Sequence, residues 1–427
     1  RAVRYDYLDF STLQKRERAC KREYEINRPN APQIYLSVLP VTFEQGVGLH
    51  IDGPGDPIEW VVVMRRFEQQ ALLSNYAARG ELDSNLVRSL AKAVVEYHHQ
   101  AASKPDASNN RVKQIVQGLS EFFKTDERGQ LLIDRLTAEA NTLVELLDFR
   151  ADTGFVVRGH GDMHLNNIAV INGQPVLFDA LEFDEALATV DVLYDLAFLL
   201  MDLSVAGRRA SANQLLNRYL LFSDEFAHYD GLRALPLFIG LRAAIRSMVA
   251  NQRAQLSGPK STGKDADEAR RYLQYAIGTL TPAAPQLIAI GGFSGTGKST
   301  VAAALAPRIG AEPGAIHLRS DLERKLSWQV AETTRLPASA YTPQSSRTVY
   351  ARILDKAART LNAGHTVIVD AVFSEPAQRN AVRNLAQQCG ADFFGLWLNA
   401  STDILRARVS ARRGDASDAT IQVVQKQ

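Results

Sequence analysis

The stretch QLIAIGGFSGTGKSTVAAA, Gln286 to Ala304, decides how this chain is read: an apolar run breaks into a glycine-rich turn and continues into an alanine-rich segment. Inside it GFSGTGKS, Gly292 to Ser299, fits the G-x-x-x-x-G-K-[ST] pattern between a predicted strand and a predicted helix. Gly292, Gly295 and Gly297 let the backbone turn tightly and aim N–H groups at phosphate oxygens. Ser294, Thr296 and Thr300 complete the loop, and the positive end of the following helix faces the same anion. Lys298 is placed to reach the β- and γ-phosphates and Ser299 to ligate Mg²⁺. A nucleoside triphosphate, ATP or GTP, is therefore the expected partner and Mg²⁺ the expected metal.

Downstream the pattern alternates. LIAIGG is followed by a helix to about Ile309, AIHLRSD by a helical stretch through Leu361, TVIVDA by another helix, and FFGLWL begins at Phe393. Strand and helix in turn predict a parallel sheet wrapped by helices. LRSDLERKL, from Leu318, puts Asp321 and Arg324 one turn apart at a helix start, where an acidic residue is also favoured by the helix dipole alone. VIVDAVF ends its apolar strand on Asp370, where a P-loop protein needs a ligand for Mg²⁺-bound water or a substrate contact. RARVSARRGDASDA, from Arg406, sets Arg408, Arg412 and Arg413 on helical spacing before a glycine and small polar residues. It reads as a mobile lid whose closure brings an arginine onto the transferring phosphoryl group, or as an exposed basic helix.

Upstream, the residues to about Phe67 combine a helix around Thr12 to Asn27 with strand-like runs from Gln33 and Ile58, which predicts a small lobe containing a sheet. Apolar residues three and four apart make Glu81 to Arg150 helical. A strand-turn-strand block starts at Gly154, with Asn172-Gly173 as its hairpin turn. Helices resume near Asp191 and run, with a polar break from Ser257 to Lys264, to Leu280; TPAAP is a short stiff linker. The expected divisions are 1–67 (small lobe), 68–280 (large helical lobe), 281–285 (linker) and 286–427 (P-loop domain).

The middle block holds a second constellation, HGDMHLNN from His160. Asp162 and Asn167 are five residues apart and Asp179 ends the next hairpin, the spacing H-x-D-x-x-x-x-N with a later Asp. In such an arrangement Asp162 orients the substrate hydroxyl and takes its proton, while Asn167 and Asp179 hold Mg²⁺ against nucleotide phosphates. A strained polar turn is the structural alternative. His98 and His99 have no acidic or cysteine partner at ligand spacing and are read as surface or core positions; His164 is assigned no role.

These residues resemble the aminoglycoside phosphotransferase family over roughly the first two thirds of the chain. LDFSTL from Leu8, the Cys20 to Arg28 helix, HGDMHLNNI, FDALEFD from Phe178 and DLAFLLMDL from Asp195 are similar to the branch that bacteria fuse to a P-loop kinase. The resemblance implies a two-lobed, protein-kinase-like fold followed by a P-loop NTPase α/β domain with a parallel sheet: α/β and α+β, multidomain. It also implies that Glu23 pairs with a nucleotide-binding lysine on a strand preceding LDFST, so that a segment is missing before Arg1. The last third resembles P-loop kinases of the gluconate kinase and zeta-toxin type. In those the Asp321 position activates the acceptor hydroxyl, Arg324 and Arg379 contact substrate, Arg408 and Arg412 belong to the lid, and a further strand and helix follow. The chain opens on Arg1 and stops inside a helical run at Gln427, so it is expected to be a piece of a longer protein.

Composition is compatible with this and excludes other classes. The 427 residues are 46% hydrophobic and 22% charged, with a formal net charge of +2, the balance of a globular chain without a strong electrostatic pull towards nucleic acid or membrane. Cys20 and Cys389 form no disulfide framework or metal spacing. LYDLAFLLMDL is interrupted by Asp195 and Asp202 and reads as a buried helix; no signal peptide is visible, and a cytoplasmic location is expected. The resulting expectation is a phosphotransferase with two kinase-type domains, each moving a γ-phosphoryl group to a hydroxyl of a small-molecule acceptor. A 5′-hydroxyl polynucleotide kinase and a nucleotide-dependent regulator with a pseudokinase first domain remain as alternatives; nucleic acid is possible but not favoured, because no basic, aromatic-interleaved stretch is evident.

Overall fold

The apolar run that leads into the glycine-rich turn is the strand Gln286–Gly292, and a computed structural model of the chain sets it inside a four-stranded parallel sheet. The order is Ile316–Arg319, Val367–Asp370, Gln286–Gly292, Asp392–Leu398, with Leu287 opposite Val367 and Phe393. Strands covered on both faces read as unbroken apolar runs, which is why LIAI and VIV show no alternation. The helix Lys298–Leu305 lies against the sheet through Ala302, which with Ala306 and Ala315 beyond the helix packs on Ile288, Ile290 and Ile368. The structure describes residues 4–5, 8–104, 108–257, 263–281, 283–411 and 414–426.

Two compact units are formed, Arg1–Ser211 with Leu237–Ile277, and Ala212–Pro236 with Gly278–Gln427. Residues 212–236, which the sequence reading assigns to the helical lobe, thus stand in the unit of the parallel sheet. Charges hold them there. Lys356, with no exposed surface, donates to Glu323 Oε2 at 2.8 Å and to Asp224 Oδ1 at 3.1 Å. Arg352 donates to the same two carboxylates at 2.6 and 2.8 Å, and Arg359 reaches Asp230 at 2.6 Å. Asn217 and Asn213 then receive and cap the backbone at the start of the second strand, through His317 N at 2.6 Å and Ala315 O at 3.0 Å. Removing Lys356 leaves Glu323 and Asp224 with Arg352 as their remaining partner, so Lys356→Met should cost about 1.5–3 kcal/mol in denaturant unfolding, the loss of a charge-assisted hydrogen bond. An unchanged midpoint would show that the network contributes nothing.

The run from Asp321 to Leu361, read from the sequence as one helical stretch, is not continuous. A helix Ser320–Ser327 is followed by irregular backbone with one short 3₁₀ turn, Ala338–Tyr341, before the helix Pro343–Asn362 begins. Pro337 and Pro343 fix where backbone can and cannot be helical, and Gln329 takes a positive φ of 52°.

In the other unit the helix Leu13–Asn27, capped by Thr12, packs against an antiparallel sheet in the order Gly48–Ile51, Tyr35–Glu44, Pro57–Met64. Helices Ser84–Gln100, Glu127–Thr142, Val192–Val205 and Leu235–Ser257 belong to the larger, helical part. Between them the hairpin Ile168–Ile171/Gln174–Leu177 turns on Asn172 and Gly173, with φ of 51° and 74°, the left-handed pair that a two-residue hairpin turn requires. Val192–Val205 is buried almost throughout, and no described helix is long and apolar enough to cross a membrane.

Candidate active sites

In the parallel-sheet unit the loop Phe293–Gly297 connects the strand to its helix, and its glycines are required. A Cβ on Gly292, at φ 138°, would lie 2.5 Å from the Leu398 carbonyl oxygen, and Gly297, at φ 94°, caps the helix Lys298–Leu305. Thr296 Oγ1 donates to Phe293 O at 2.8 Å and Lys298 Nζ donates to the same oxygen at 3.1 Å, which ties the loop into a closed ring of contacts. Ser294 and Thr296 are buried, and Thr300 follows on the helix. Ser299 Oγ donates to Asp370 Oδ2 at 2.6 Å, joining the first helical turn to the end of the neighbouring strand.

Asp370 is 3% exposed. Burial pushes its carboxyl up, but hydrogen bonds from His317 and Ser299, with the charge of Arg319 behind them, outweigh that and hold it below its ordinary value. His317 Nε2 lies 3.4 Å and Arg319 Nε 3.7 Å from Asp370 Oδ2.

Asp321 and Arg324 line a cavity of about 1000 Å³ that also touches Ser294 of the loop. Burial raises the Asp321 carboxyl above its ordinary value, with the Arg319 charge opposing. Arg324 donates to Ala340 O at 2.6 Å and stacks 4.9 Å from the Tyr341 ring, so the irregular 328–342 segment is built onto it. Among the described residues, Asp370 and Arg379 do not line this cavity. Asp370 faces Ser299, and Arg379 donates to Phe373 O and Ser374 O at 2.6 and 3.2 Å, closing the turn that follows the strand. Arg408 Nη1 donates to Gly295 O and Thr296 O, both at 3.3 Å. Arg412 falls outside the described residues.

In the first unit the hairpin brings the second constellation together, because Phe178 N donates to Asn167 O at 3.0 Å and Asp179 follows directly. Asn167 Nδ2 donates to Asp162 Oδ2 and to Asp162 O, both at 3.0 Å. Burial raises the Asp162 carboxyl, but the hydrogen bond and charge of His164 lower it more, to about 2. His164 Nε2 is 3.4 Å from Asp162 Oδ2, a neighbour that sequence spacing left unassigned. Asp179 adopts a φ of 61°, a left-handed strain of the kind kept at functional sites, and burial lifts its carboxyl above the ordinary value.

Asp195, absent from the sequence-derived site, anchors the loop. It has no exposed surface and accepts from His160 N at 2.6 Å and Gly161 N at 3.0 Å. His98 Nε2 lies 3.4 Å away, and Arg242 donates to Gly161 O at 3.0 Å while stacking 4.0 Å from Tyr194. The signal was present as one of two aspartates in an apolar run, but its partners are separated from it by tens of residues.

Glu23 faces Asp179 and Glu182, and burial followed by these two charges lifts its carboxyl from 4.5 to about 7. Native Glu23 therefore keeps a proton that the unfolded carboxyl has already lost, and stability should fall as pH rises through 4.5 to about 7. Glu23→Gln should flatten that slope, with a gain of about 1–2 kcal/mol at pH 8 after solvent screening; parallel pH profiles of variant and parent would refute it.

Both sites offer hard oxygen donors suited to Mg²⁺. Ser299 and Asp370 meet at the phosphate loop, and Asn167, whose amide nitrogen donates to Asp162, is joined through its backbone carbonyl to Phe178, the residue before Asp179. No group of three or more acidic, His or Cys residues forms a metal cage among the described residues.

A phosphate loop joined to an acidic strand end, and a kinase-type Asp–Asn pair on a hairpin, define a phosphotransferase of the kinase kind. Residues 29–235 match the model of the phosphotransferase enzyme family and residues 287–427 match that of an AAA domain. The chain is 30% identical to an uncharacterized protein of Mycobacterium tuberculosis and to one of Mycobacterium bovis, in each case over 98% of this chain and 83% of the relative. It belongs to this family, in which a phosphotransferase domain precedes a P-loop, kinase-like AAA domain. Among solved structures it is similar to Plasmodium vivax ethanolamine kinase, at 14% identity and a TM-score of 0.37, over 60% of this chain and 71% of that one.

Proposed function

We propose that the chain carries two phosphoryl-transfer sites, each moving the γ-phosphoryl group of ATP or GTP to a hydroxyl of a small-molecule acceptor. Residues 1–67 serve the first site as small lobe and 68–280, apart from 212–236, as large lobe, and 286–427, after the linker 281–285, serve the second. The observation that carries the reading is the 2.6 Å contact from Ser299 to Asp370, beside Lys298 and one wall of the cavity that holds Asp321.

In the second site the loop amides and Lys298 bind and orient the phosphates, Asp321 receives the acceptor proton, and Arg324 shapes the acceptor side. Arg408 and Arg412 supply positive charge from the lid. In the first site Asp162 orients the hydroxyl while Asn167 holds the Asp162 carboxylate in place. Ser299 and Asp370 in one site and Asn167 and Asp179 in the other would hold Mg²⁺, which would supply charge neutralisation on the transferring group. Positioning and electrostatics account for most of the rate in such reactions. A small acceptor is favoured over a polynucleotide by the net charge of +2.

Labelled ATP or GTP incubated with a metabolite extract tests this. Asp321→Asn should reduce the Lys298-dependent transfer by about 10²–10⁴, the usual contribution of a general base, with nucleotide affinity kept. Full transfer by the variant would remove Asp321 from the mechanism.

A further inference from the structure

The acceptor cavity has an electrostatic character that the proposed transfer does not by itself require. Three arginines line it, Arg324, Arg335 and Arg347, and among the described residues none of them has a carboxylate partner. Arg324 is 7% exposed, and its guanidinium is met by the Ala340 carbonyl and, at 3.5 Å, by the Ser346 hydroxyl, neither of which balances its charge. Arg347 donates to the neutral Gln344 amide at 2.7 Å.

The acidic residues of the same cavity are differently placed. Asp418 is committed: it accepts from Lys325 Nζ at 2.6 Å, from Tyr341 Oη at 2.5 Å and from Leu336 N at 3.0 Å. Glu375 is turned into the start of its own helix, where its side chain accepts a backbone N–H of the first turn. Asp321 is the proton acceptor. A cavity whose carboxylates are engaged internally and whose arginines have no carboxylate partner, with Arg335 and Arg347 exposed at its edge, is complementary to an anion entering from solvent, since guanidinium pairs with carboxylate or phosphate through parallel hydrogen bonds.

We infer that the acceptor of the second site is a small hydroxyl compound bearing a carboxylate or phosphate group, held by Arg335 and Arg347 with its hydroxyl directed at Asp321. This rests on the kinase reading of that site. The acceptor oxygen forms a bond to the γ-phosphorus, the bond from that phosphorus to the bridging oxygen breaks, and the hydroxyl proton passes to Asp321. The products are the phosphate ester of the anion and the nucleoside diphosphate. Arg335 and Arg347 touch the distant anionic group, so they set affinity and selection rather than the transfer step.

The test uses the full chain, labelled ATP, and a metabolite extract split on an anion exchanger at neutral pH into flow-through and retained fractions. Label transfer that depends on Lys298 should appear with the retained fraction. Phosphatase treatment of that fraction separates a phosphate-bearing from a carboxylate-bearing acceptor. With the purified acceptor, Arg335→Ser and Arg347→Ser should each raise KM about tenfold or more, with kcat within about threefold, and Arg335→Lys should recover most of the loss. Circular dichroism and a thermal midpoint near that of the parent protein establish that each variant is folded. Transfer found with the flow-through, a nuclease-sensitive polymer as the labelled product, or a KM unmoved by both serine variants would overturn the inference. Absence of Lys298-dependent transfer with any fraction would instead overturn the kinase reading, and the inference with it.

Discussion

Lys298→Ala is expected to abolish nucleotide turnover by the parallel-sheet unit, with a fall of about 10²–10³ or more, the loss seen when one preorganised charge donor is removed from a transition state. Lys298 Nζ donates to Phe293 O at 3.1 Å, a neutral carbonyl of its own loop. Phosphate oxygens offer it a charge-assisted bond, stronger than one to a neutral carbonyl. The loop itself is kept by other means. Gly292 and Gly297 fix its backbone, Thr296 closes it on Phe293, and Ser299 ties it to Asp370. The variant should therefore remain folded and still bind nucleotide weakly. Turnover measured with Mg²⁺ and ATP or GTP checks it, and unchanged turnover with intact binding would sink the phosphate-loop assignment.

What could be seen in the sequence follows the range of the interactions. The phosphate loop is local: its glycines, lysine and serine lie within eight residues and make the turn among themselves, so their spacing was enough to locate it. The Asn172-Gly173 hairpin is local as well, and it delivers Asp179 to Asn167. Asp195 is a different case. Its value comes from accepting two amides at His160 and Gly161 and from lying beside His98, contacts that span 34 to 97 residues in the sequence. The pairing of Lys356 with Glu323 and Asp224 is equally non-local, and it draws residues 212–236 into the second unit against a boundary placed by helix pattern alone. The 328–342 segment escaped notice because helix-compatible residues surround it, and its course is set by Arg324, Tyr341 and Asp418 after folding.

Asp162→Ala is the second prediction of large effect: loss by about 10³ or more of a transfer activity separate from the Lys298-dependent one. The geometry gives the reason. Asp162 is the carboxylate that Asn167 holds at 3.0 Å and that Asp195 positions through the His160–Gly161 backbone. His164 keeps it at about 2, so it is ionised throughout the neutral range and ready to accept a hydrogen bond from a hydroxyl. Its own titration should therefore leave no acid limb in the rate above about pH 4, two units beyond that value. A limb near neutrality in the first unit's activity would point to another group, with Glu23, lifted to about 7, the first to substitute. Removing Asp162 also frees the Asn167 amide of one acceptor, so Asp162→Asn is the cleaner comparison: it preserves shape and a hydrogen-bonding oxygen while removing the charge. If Asp162→Asn is as inactive as Asp162→Ala, charge at that carboxylate is what the reaction needs. If both variants retain every measurable transfer, the first unit is not a working kinase, and its buried Asp195 clamp serves to hold a binding surface instead.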